Sequence, residues 1–108
     1  MTYVFDIDGT ICTLTDGNYK NAEPFLDRIQ KINNLHELGN KIVFHTARGM
    51  ASNPSKQSLG DLFTLTQKQL DSWGVRYDSL ILGKPAGDIY IDDKGVKDED
   101  FFTDEFCI

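Results

Sequence analysis

The sequence of 108 residues predicts an open α/β domain, with one parallel sheet and flanking helices. Two observations carry this prediction. Short apolar runs alternate with longer segments of helical periodicity, and each apolar run ends in polar or turn-forming residues. Parallel strands need crossover connections, so the helices are expected to join neighbouring strands with right-handed geometry. Because the length lies below the size at which chains usually divide, residues 1–108 are expected to form a single domain.

The first strand is predicted at Tyr3–Ile7, an almost continuous apolar run that ends in the turn-forming residues Asp8–Thr10. Residues 11–22 are polar and irregular, with an Asp-Gly pair at Asp16 and Gly17. An Asp-Gly pair of this kind is typical of a tight hairpin turn. We therefore expect a small flap between the first strand and the first helix.

The first helix is predicted between Pro24 and Gly39, because proline is favoured at the start of a helix and glycine just after its end. Its apolar face recurs every three or four residues and consists of Phe25, Ile29, Ile32, Leu35 and Leu38. The second strand is predicted at Lys41–His45, and Thr46 follows it directly.

The second half of the chain is predicted to contain one more helix and two more strands. Residues 49–60 have the composition of a loop, and a helix capped by Asp61 is expected over residues 62–74. Strands are expected at Ser79–Leu82 and at Asp88–Ile91, before an acidic tail. Three tail phenylalanines are expected to pack back on the domain: Phe101, Phe102 and Phe106.

The charge of the chain excludes several classes of function. The sequence holds 17 acidic and 11 basic residues, a net charge of −6, and all of this excess lies in residues 88–108. The absence of a basic stripe argues against binding to nucleic acid. No apolar run approaches the roughly 20 residues of a membrane span. Because Cys12 and Cys107 lie far apart in the sequence, we expect two reduced thiols and a cytoplasmic protein.

Polar residues follow the predicted strands at the point where each strand ends. They are Asp6 and Asp8, then Thr46, then Lys84, and then Asp92 and Asp93. Because the carboxyl ends of parallel strands share one edge of a sheet, we expect these residues to converge in one crevice. Four carboxylates close together require a cation, and a set of oxygen ligands suits Mg²⁺.

The same set of residues favours phosphate chemistry. Lys84 offers a positive charge and Thr46 a hydroxyl donor to a phosphate group that Mg²⁺ also binds. With a carboxylate as nucleophile, phosphoryl transfer through an aspartyl-phosphate is the reaction these groups fit.

The ordered motifs resemble those of the haloacid dehalogenase superfamily of phosphohydrolases. The resemblance covers residues 3–94: a D-x-D-G-T sequence at residues 6–10, then a threonine, a lysine and a pair of aspartates, each after a predicted strand. It implies a Rossmann-like sheet, with Asp6 as the nucleophile and Asp8 as the acid and base. It also implies a phosphate-binding set and a metal-binding set: Thr46, Ala47 and Lys84 for the first, and Asp6, Asp8, Asp92 and Asp93 for the second. Which of Asp92 and Asp93 contacts the metal directly stays open.

The spacing of the motifs leaves no room for a cap domain, which many members of this superfamily carry. A capless site is open, so it acts on a large substrate or is covered by another subunit of a homo-oligomer. Local sequences at residues 46–50, 69–75 and 83–85 resemble small capless phosphatases associated with bacterial capsule or lipopolysaccharide sugars. That resemblance implies a phosphorylated sugar or a similar polar metabolite of polysaccharide biosynthesis. Arg48 is then a candidate substrate contact, with a structural ion pair as the alternative.

Other classes of protein also combine acidic residues with threonine and lysine. Bacterial receiver modules accept a phosphoryl group on an aspartate of a central strand, whereas the second strand here ends in His45 and Thr46. A non-catalytic binding module is a further alternative. An EF-hand loop that starts at Asp6 fails, because its twelfth position is Gly17 where a glutamate is needed.

Overall fold

The computed structural model describes residues 1–50 and 56–103 of the chain. Three strands form the sheet: β1 at Thr2–Phe5, β2 at Lys41–Thr46 and β3 at Ser79–Leu82. Three α-helices accompany them: α1 at Leu26–Glu37, α2 at Lys56–Ser72 and α3 at Asp98–Phe101. A short 3-10 helix lies at Tyr19–Asn21.

The sheet is parallel, with the strand order β1-β2-β3, so the predicted α/β class and open parallel sheet are confirmed. In its register Val4 pairs with Val43, and Val43 pairs with Ser79. The central strand β2 is the most deeply buried, and Ile42 and Phe44 have no exposed surface. A strand covered on both faces needs apolar residues at consecutive positions, which is the pattern that predicted it.

The flap predicted at residues 11–22 is formed around a tight turn. Asp16 and Gly17 both have positive φ angles, 51° and 88°, and the Asn18 N–H donates to the Thr15 carbonyl oxygen at 3.1 Å. The base of the flap is closed by the Thr13 N–H, which donates to the Glu23 carbonyl oxygen at 2.9 Å. The connection from β1 to α1 consists of the turn after β1, this flap and the 3-10 helix, so no folded cap lies between those two elements.

Helix α1 buries the face that the sequence predicted, with Ile29, Ile32 and Leu35 at most 4% exposed. The prediction for Leu38 is wrong, because this side chain is 72% exposed. Leu38 lies just after the last helical residue, and Gly39, at a φ of 94°, turns the chain away from the helix.

Helix α2 begins at Lys56, six residues before the predicted start, so the loop predicted for residues 49–60 is wrong over residues 56–60. The helix continues through Gly60, whose cost in a helix is only about 1 kcal/mol relative to alanine. Residues 51–55 of the predicted loop lie outside the described residues.

The fourth strand predicted at Asp88–Ile91 is absent from the sheet that the described residues form, and this prediction is wrong. Ile89 and Ile91 are 78% and 92% exposed. Local bonds shape the segment instead: the Tyr90 hydroxyl donates to the Pro85 carbonyl oxygen at 2.6 Å and accepts from the Gly87 N–H at 3.0 Å. Apolar residues alone do not make a strand, because a strand also needs a paired edge.

The acidic tail packs on the sheet through its aromatic residues. The Phe101 and Phe102 ring centroids lie 5.5 Å and 6.0 Å from that of Phe5. Arg28 on α1 donates to the Asp98 carboxylate at 2.8 Å. The predicted packing is therefore confirmed for these two phenylalanines, whereas Phe106 lies outside the described residues. None of the helices described is long and apolar enough to cross a membrane.

Candidate active site

A tight turn after β1 carries the first pair of aspartates. The Thr10 and Ile11 N–H groups both donate to the Ile7 carbonyl oxygen, at 3.0 Å and 2.9 Å. Gly9, at a φ of 81°, allows the reversal, and a Cβ there would lie 3.2 Å from the Leu14 side chain. The turn therefore holds Asp6 and Asp8 at the carboxyl end of β1.

A pocket of about 280 Å³ opens at the carboxyl ends of β1 and β2. The turn after β1, the flap and the end of β2 each contribute to its lining, which consists of Asp6, Asp8, Leu14, Thr15, Asp16, Gly17, Tyr19, Thr46, Ala47 and Arg48. The structure thus brings together the sequence-predicted residues of the first two motifs. The shared edge of parallel strands accounts for this convergence.

The Asp6 carboxyl group lies half-buried in this pocket. Burial raises its pKa above the usual value, whereas the backbone hydrogen bond from Ile7 and the charge of Lys84 act in the opposite direction. The charge of Asp8 adds to the increase. Lys84 is therefore near enough to Asp6 to act on it, although its Nζ lies over the Tyr90 ring, 4.1 Å from the centroid.

Thr46 ends β2 and is 1% exposed. Its Oγ1 accepts the Arg48 N–H at 3.2 Å, so the hydroxyl hydrogen is not used in that bond. The Thr46 carbonyl oxygen accepts the Lys84 N–H at 3.2 Å, which joins the ends of β2 and β3. The two phosphate-binding candidates are therefore connected through the backbone.

Arg48 forms an ion pair with Asp8. Its Nε donates to Asp8 Oδ2 at 2.8 Å and its Nη2 donates to Asp8 Oδ1 at 3.0 Å. The Arg48 side chain has no exposed surface, whereas that of Asp8 is 18% exposed. This burial does not favour the predicted substrate contact and instead favours the alternative of an ion pair.

Although Gln69 lies in the local sequence at residues 69–75, the sequence assigned no role to the three residues that surround the Arg48 guanidinium. Its Nη1 donates to Thr66 Oγ1 at 3.0 Å and to Gln69 Oε1 at 2.6 Å, and its Cζ lies 4.6 Å from the Tyr19 ring centroid. Thr66 and Gln69 are three positions apart on α2, so they share one face. Polar residues at helical spacing beside apolar ones are the signal that could have indicated them.

Cys12 lies against the same aspartate. Its thiol has no exposed surface and donates to Asp8 Oδ1 at 3.6 Å. Burial, assisted by the charge of Asp8, raises the pKa of this thiol to about 12. A neutral thiol is a poor nucleophile, so Cys12 has a packing and hydrogen-bonding role in this pocket.

The structure does not bring Asp92 and Asp93 into the pocket, which corrects the prediction that four carboxylates converge. Both are exposed, and Asp92 Oδ1 accepts the Lys94 and Gly95 N–H groups at 2.6 Å and 2.5 Å. The reason is that the predicted fourth strand is not paired, so its carboxyl end does not reach the edge shared by β1 and β2.

The pocket fits a magnesium ion in donor type and falls short in donor number. Asp6 and Asp8 supply the oxygen donors that Mg²⁺ prefers. Among the described residues, however, no group of three or more histidine, cysteine, aspartate or glutamate residues could hold a metal ion. The first aspartate pair is therefore only part of the predicted metal site.

One solved structure resembles this chain over nearly its whole length. The crystal structure of a target protein from Vibrio cholerae has a TM-score of 0.80 and 31% sequence identity, and the match covers 94% of this chain and 87% of that chain. This chain belongs to the same family as that protein. No family model matches the sequence, and no curated protein matches it.

A second solved structure indicates the fold. It is a D,D-heptose 1.7-bisphosphate phosphatase from B. bronchiseptica complexed with magnesium and phosphate. Its TM-score is 0.56 at 17% identity, and the match covers 81% of this chain and 51% of that chain. The fold of this family is therefore haloacid dehalogenase-like, as the ordered motifs implied.

Proposed function

We propose that this protein is a phosphomonoesterase that acts through an aspartyl-phosphate on Asp6. One observation carries the proposal: Asp6, Asp8, Thr46 and Ala47 line a single pocket, and the positive charge of Lys84 acts on Asp6. The fold of a phosphatase complexed with magnesium and phosphate supports the same class of activity.

In the first step, a carboxylate oxygen of Asp6 attacks the phosphorus atom of the substrate. The bond from phosphorus to the ester oxygen breaks, and Asp8 donates a proton to that oxygen as the alcohol leaves. Thr46, Ala47 and Lys84 hold the phosphoryl oxygens, through a hydroxyl, a backbone N–H and an ammonium group. Asp6 is half-buried and lines the pocket, which suits attack on a small phosphate ester.

In the second step, water attacks the phosphorus atom of the aspartyl-phosphate. Asp8, now a carboxylate, takes a proton from this water, and the bond between Asp6 and phosphorus breaks. Inorganic phosphate leaves, Asp6 returns to its carboxylate form, and Asp8 is protonated again. One aspartate thus acts as acid and then as base, which the 18% exposure of its side chain permits.

Magnesium is part of the proposal as the cation of this site. Asp6 would hold it through its carboxylate and Asp8 through its backbone carbonyl oxygen, which leaves the Asp8 carboxyl group for proton transfer. The ion supplies positive charge against the phosphoryl oxygens. The magnesium in the B. bronchiseptica structure supports this choice of metal.

The proposed substrate is a phosphorylated sugar or a similar polar metabolite of polysaccharide biosynthesis. The size of the pocket, about 280 Å³, and its carboxylate and hydroxyl lining suit a small polar molecule. The heptose substrate of the B. bronchiseptica protein supports a sugar phosphate. We also propose that a second copy of the chain covers the open pocket, and that the protein works in the cytoplasm.

The test is a phosphatase screen with Mg²⁺ over sugar phosphates, nucleotides and phosphopeptides. Asp6→Asn is expected to lower kcat by on the order of 10³-fold or more, because an amide is not a nucleophile here. Exposed Asp61 on α2 offers a matched control, and Asp61→Asn is expected to retain full activity. Undiminished turnover by Asp6→Asn would contradict the nucleophile. Transfer of a phosphoryl group to Asp6 without ester turnover would instead indicate a receiver-like module.

A further inference from the structure

We propose that Arg48 is a positioning residue, which orients Asp8 for proton transfer and couples that orientation to the flap. The inference rests on the proposed function and adds a specific task to a side chain that does not touch the substrate. It starts from the network around the guanidinium group, whose four hydrogen bonds run from Arg48 to Asp8, Thr66 and Gln69.

Arg48 lines the pocket, but its guanidinium group is buried. Its side chain has no exposed surface. A guanidinium group has five N–H donors, and protein acceptors take four of them. The fifth N–H belongs to a side chain with no exposed surface, so a substrate phosphate does not reach it and Arg48 acts on the reaction through Asp8.

The two oxygens of the Asp8 carboxylate accept different numbers of hydrogen bonds. Oδ1 accepts from Arg48 Nη2 at 3.0 Å and from the Cys12 thiol at 3.6 Å, whereas Oδ2 accepts from Arg48 Nε at 2.8 Å. Oδ2 therefore retains a free lone pair, and we assign it as the oxygen that carries the transferred proton. Because the guanidinium fork is planar and rigid, it fixes the plane of the carboxyl group.

The same network also contacts the flap through Tyr19. Gln69 accepts from Arg48 through Oε1 and donates through Nε2 to the Tyr19 carbonyl oxygen, with both distances 2.6 Å. The Tyr19 ring lies 4.6 Å from the guanidinium carbon, and its hydroxyl accepts the Gly49 N–H at 3.3 Å. A shift of the flap therefore changes the environment of Arg48 and, through it, that of Asp8.

The experiment compares Arg48→Lys with the wild type on two substrates that differ in the leaving group. Lysine keeps the positive charge and loses the planar fork, so it cannot fix the plane of the Asp8 carboxyl group. Glycerol phosphate releases an alkoxide that needs a proton, whereas p-nitrophenyl phosphate releases a stable anion. For glycerol phosphate we expect kcat/KM to fall on the order of 10²-fold, the size of a general acid contribution. For p-nitrophenyl phosphate we expect a loss of less than about tenfold.

The controls separate this role from the alternatives. Exposed Arg76 offers a matched control, and Arg76→Lys is expected to leave both substrates unchanged. In an Asp8→Asn background, Arg48→Lys is expected to lower kcat/KM no more for glycerol phosphate than for p-nitrophenyl phosphate, because the carboxyl group that Arg48 orients has been removed. An equal fall for both substrates would mean a structural role and would overturn the inference. An increase in KM for both would indicate a substrate contact and would also overturn it.

Asp6→Asn, assayed on the same two substrates, separates failure of this inference from failure of the proposed function. If Asp6→Asn is inactive and Arg48→Lys affects both substrates equally, only the role of Arg48 is wrong. If Asp6→Asn turns over both substrates like the wild type, or if the wild type turns over neither, the proposed function is wrong and the role of Arg48 falls with it.

Discussion

Two aspartates that are separated by one residue have different surroundings in the same pocket. Asp6 is affected mainly by burial, which raises the pKa of its carboxyl group, with no ion pair shorter than 4.0 Å among the described residues. Asp8 accepts hydrogen bonds from the Nε and Nη2 groups of Arg48 and from the Cys12 thiol. This difference matches the proposed roles, since a nucleophile must be free to attack and a proton donor must be oriented.

At the residue scale, the Cys12 thiol is expected to be unreactive in the folded protein. Because burial raises the pKa of its thiol to about 12, the thiolate is scarce at pH 8 in the folded protein. In a Cys107→Ser background, iodoacetamide is expected to label Cys12 only after unfolding in denaturant, as measured by mass spectrometry. Labelling of the native protein at the rate of a free cysteine would show that the thiol is accessible and ionised.

At the scale of elements, helix α2 connects the flap to the ion pair. Its residues Thr66 and Gln69 both accept from Arg48, and Gln69 also donates to the carbonyl oxygen of Tyr19. The helix therefore contributes to the network around Arg48 through two neutral side chains, neither of which would be selected by a search for charged residues.

Gln69→Leu tests this connection. The substitution removes one acceptor from Arg48 and one donor to the flap, so kcat/KM for glycerol phosphate is expected to fall by about tenfold. The loss for p-nitrophenyl phosphate is expected to be smaller, as for Arg48→Lys. Gln30→Leu, on the exposed side of α1, is the control and is expected to have no effect. Wild-type rates for Gln69→Leu on both substrates would show that the flap contact does not influence Asp8.

The elements also show which features the sequence could predict. Strand β3 has the predicted bounds, because turn-forming residues on both sides of these four positions leave little choice of where the strand begins and ends. The prediction of a fourth strand is wrong, because an apolar run does not indicate whether the segment pairs with an edge of the sheet. The predicted start of α2 is wrong because Ser58 and Gly60, which indicated a loop, have low helix propensity, whereas the other residues at 56–60 and the rest of the helix favour the helix.

The pocket was predictable to the extent that backbone topology determines it. Asp6, Asp8 and Thr46 meet because each follows a parallel strand, and this requires no knowledge of side-chain directions. The pairing of Arg48 with Asp8 depends on how the chain turns after β2, which the sequence does not indicate. The position of Asp92 and Asp93 depends on the strand that did not pair.

At the scale of the whole molecule, the tail is joined to the active-site turn. Arg28 Nη1 donates to the Thr10 carbonyl oxygen at 2.9 Å and to Asp98 Oδ2 at 2.8 Å. The Phe101 ring contacts the Tyr3 and Phe5 rings of β1 and the Phe102 ring, with centroid distances of 5.9, 5.5 and 5.1 Å. The last described helix thus supports β1 and the turn that carries the aspartates.

Phe101→Ala tests this support. Removing a half-buried ring from an aromatic cluster is expected to lower the free energy of unfolding by about 2 kcal/mol, below the usual range for a fully buried phenylalanine. Urea unfolding followed by circular dichroism measures the change. Phe63→Ala, at an exposed position on α2, is expected to change stability by less than about 0.5 kcal/mol. Equal stability of the two variants would mean that the tail does not support the sheet.

The two sides of the flap turn differ in their contacts, and this difference bears on how such a pocket could acquire new substrates. Tyr19 is tied to Gln69, whereas Leu14, at the other side of the flap turn, is 76% exposed. Leu14 also lines the pocket, and its apolar side chain has no group that could form a hydrogen bond to the network around Arg48. Position 14 can therefore diverge between relatives, or be randomised in a directed-evolution library, while the turn at Asp16 and Gly17 and the contact of Tyr19 with Gln69 are kept.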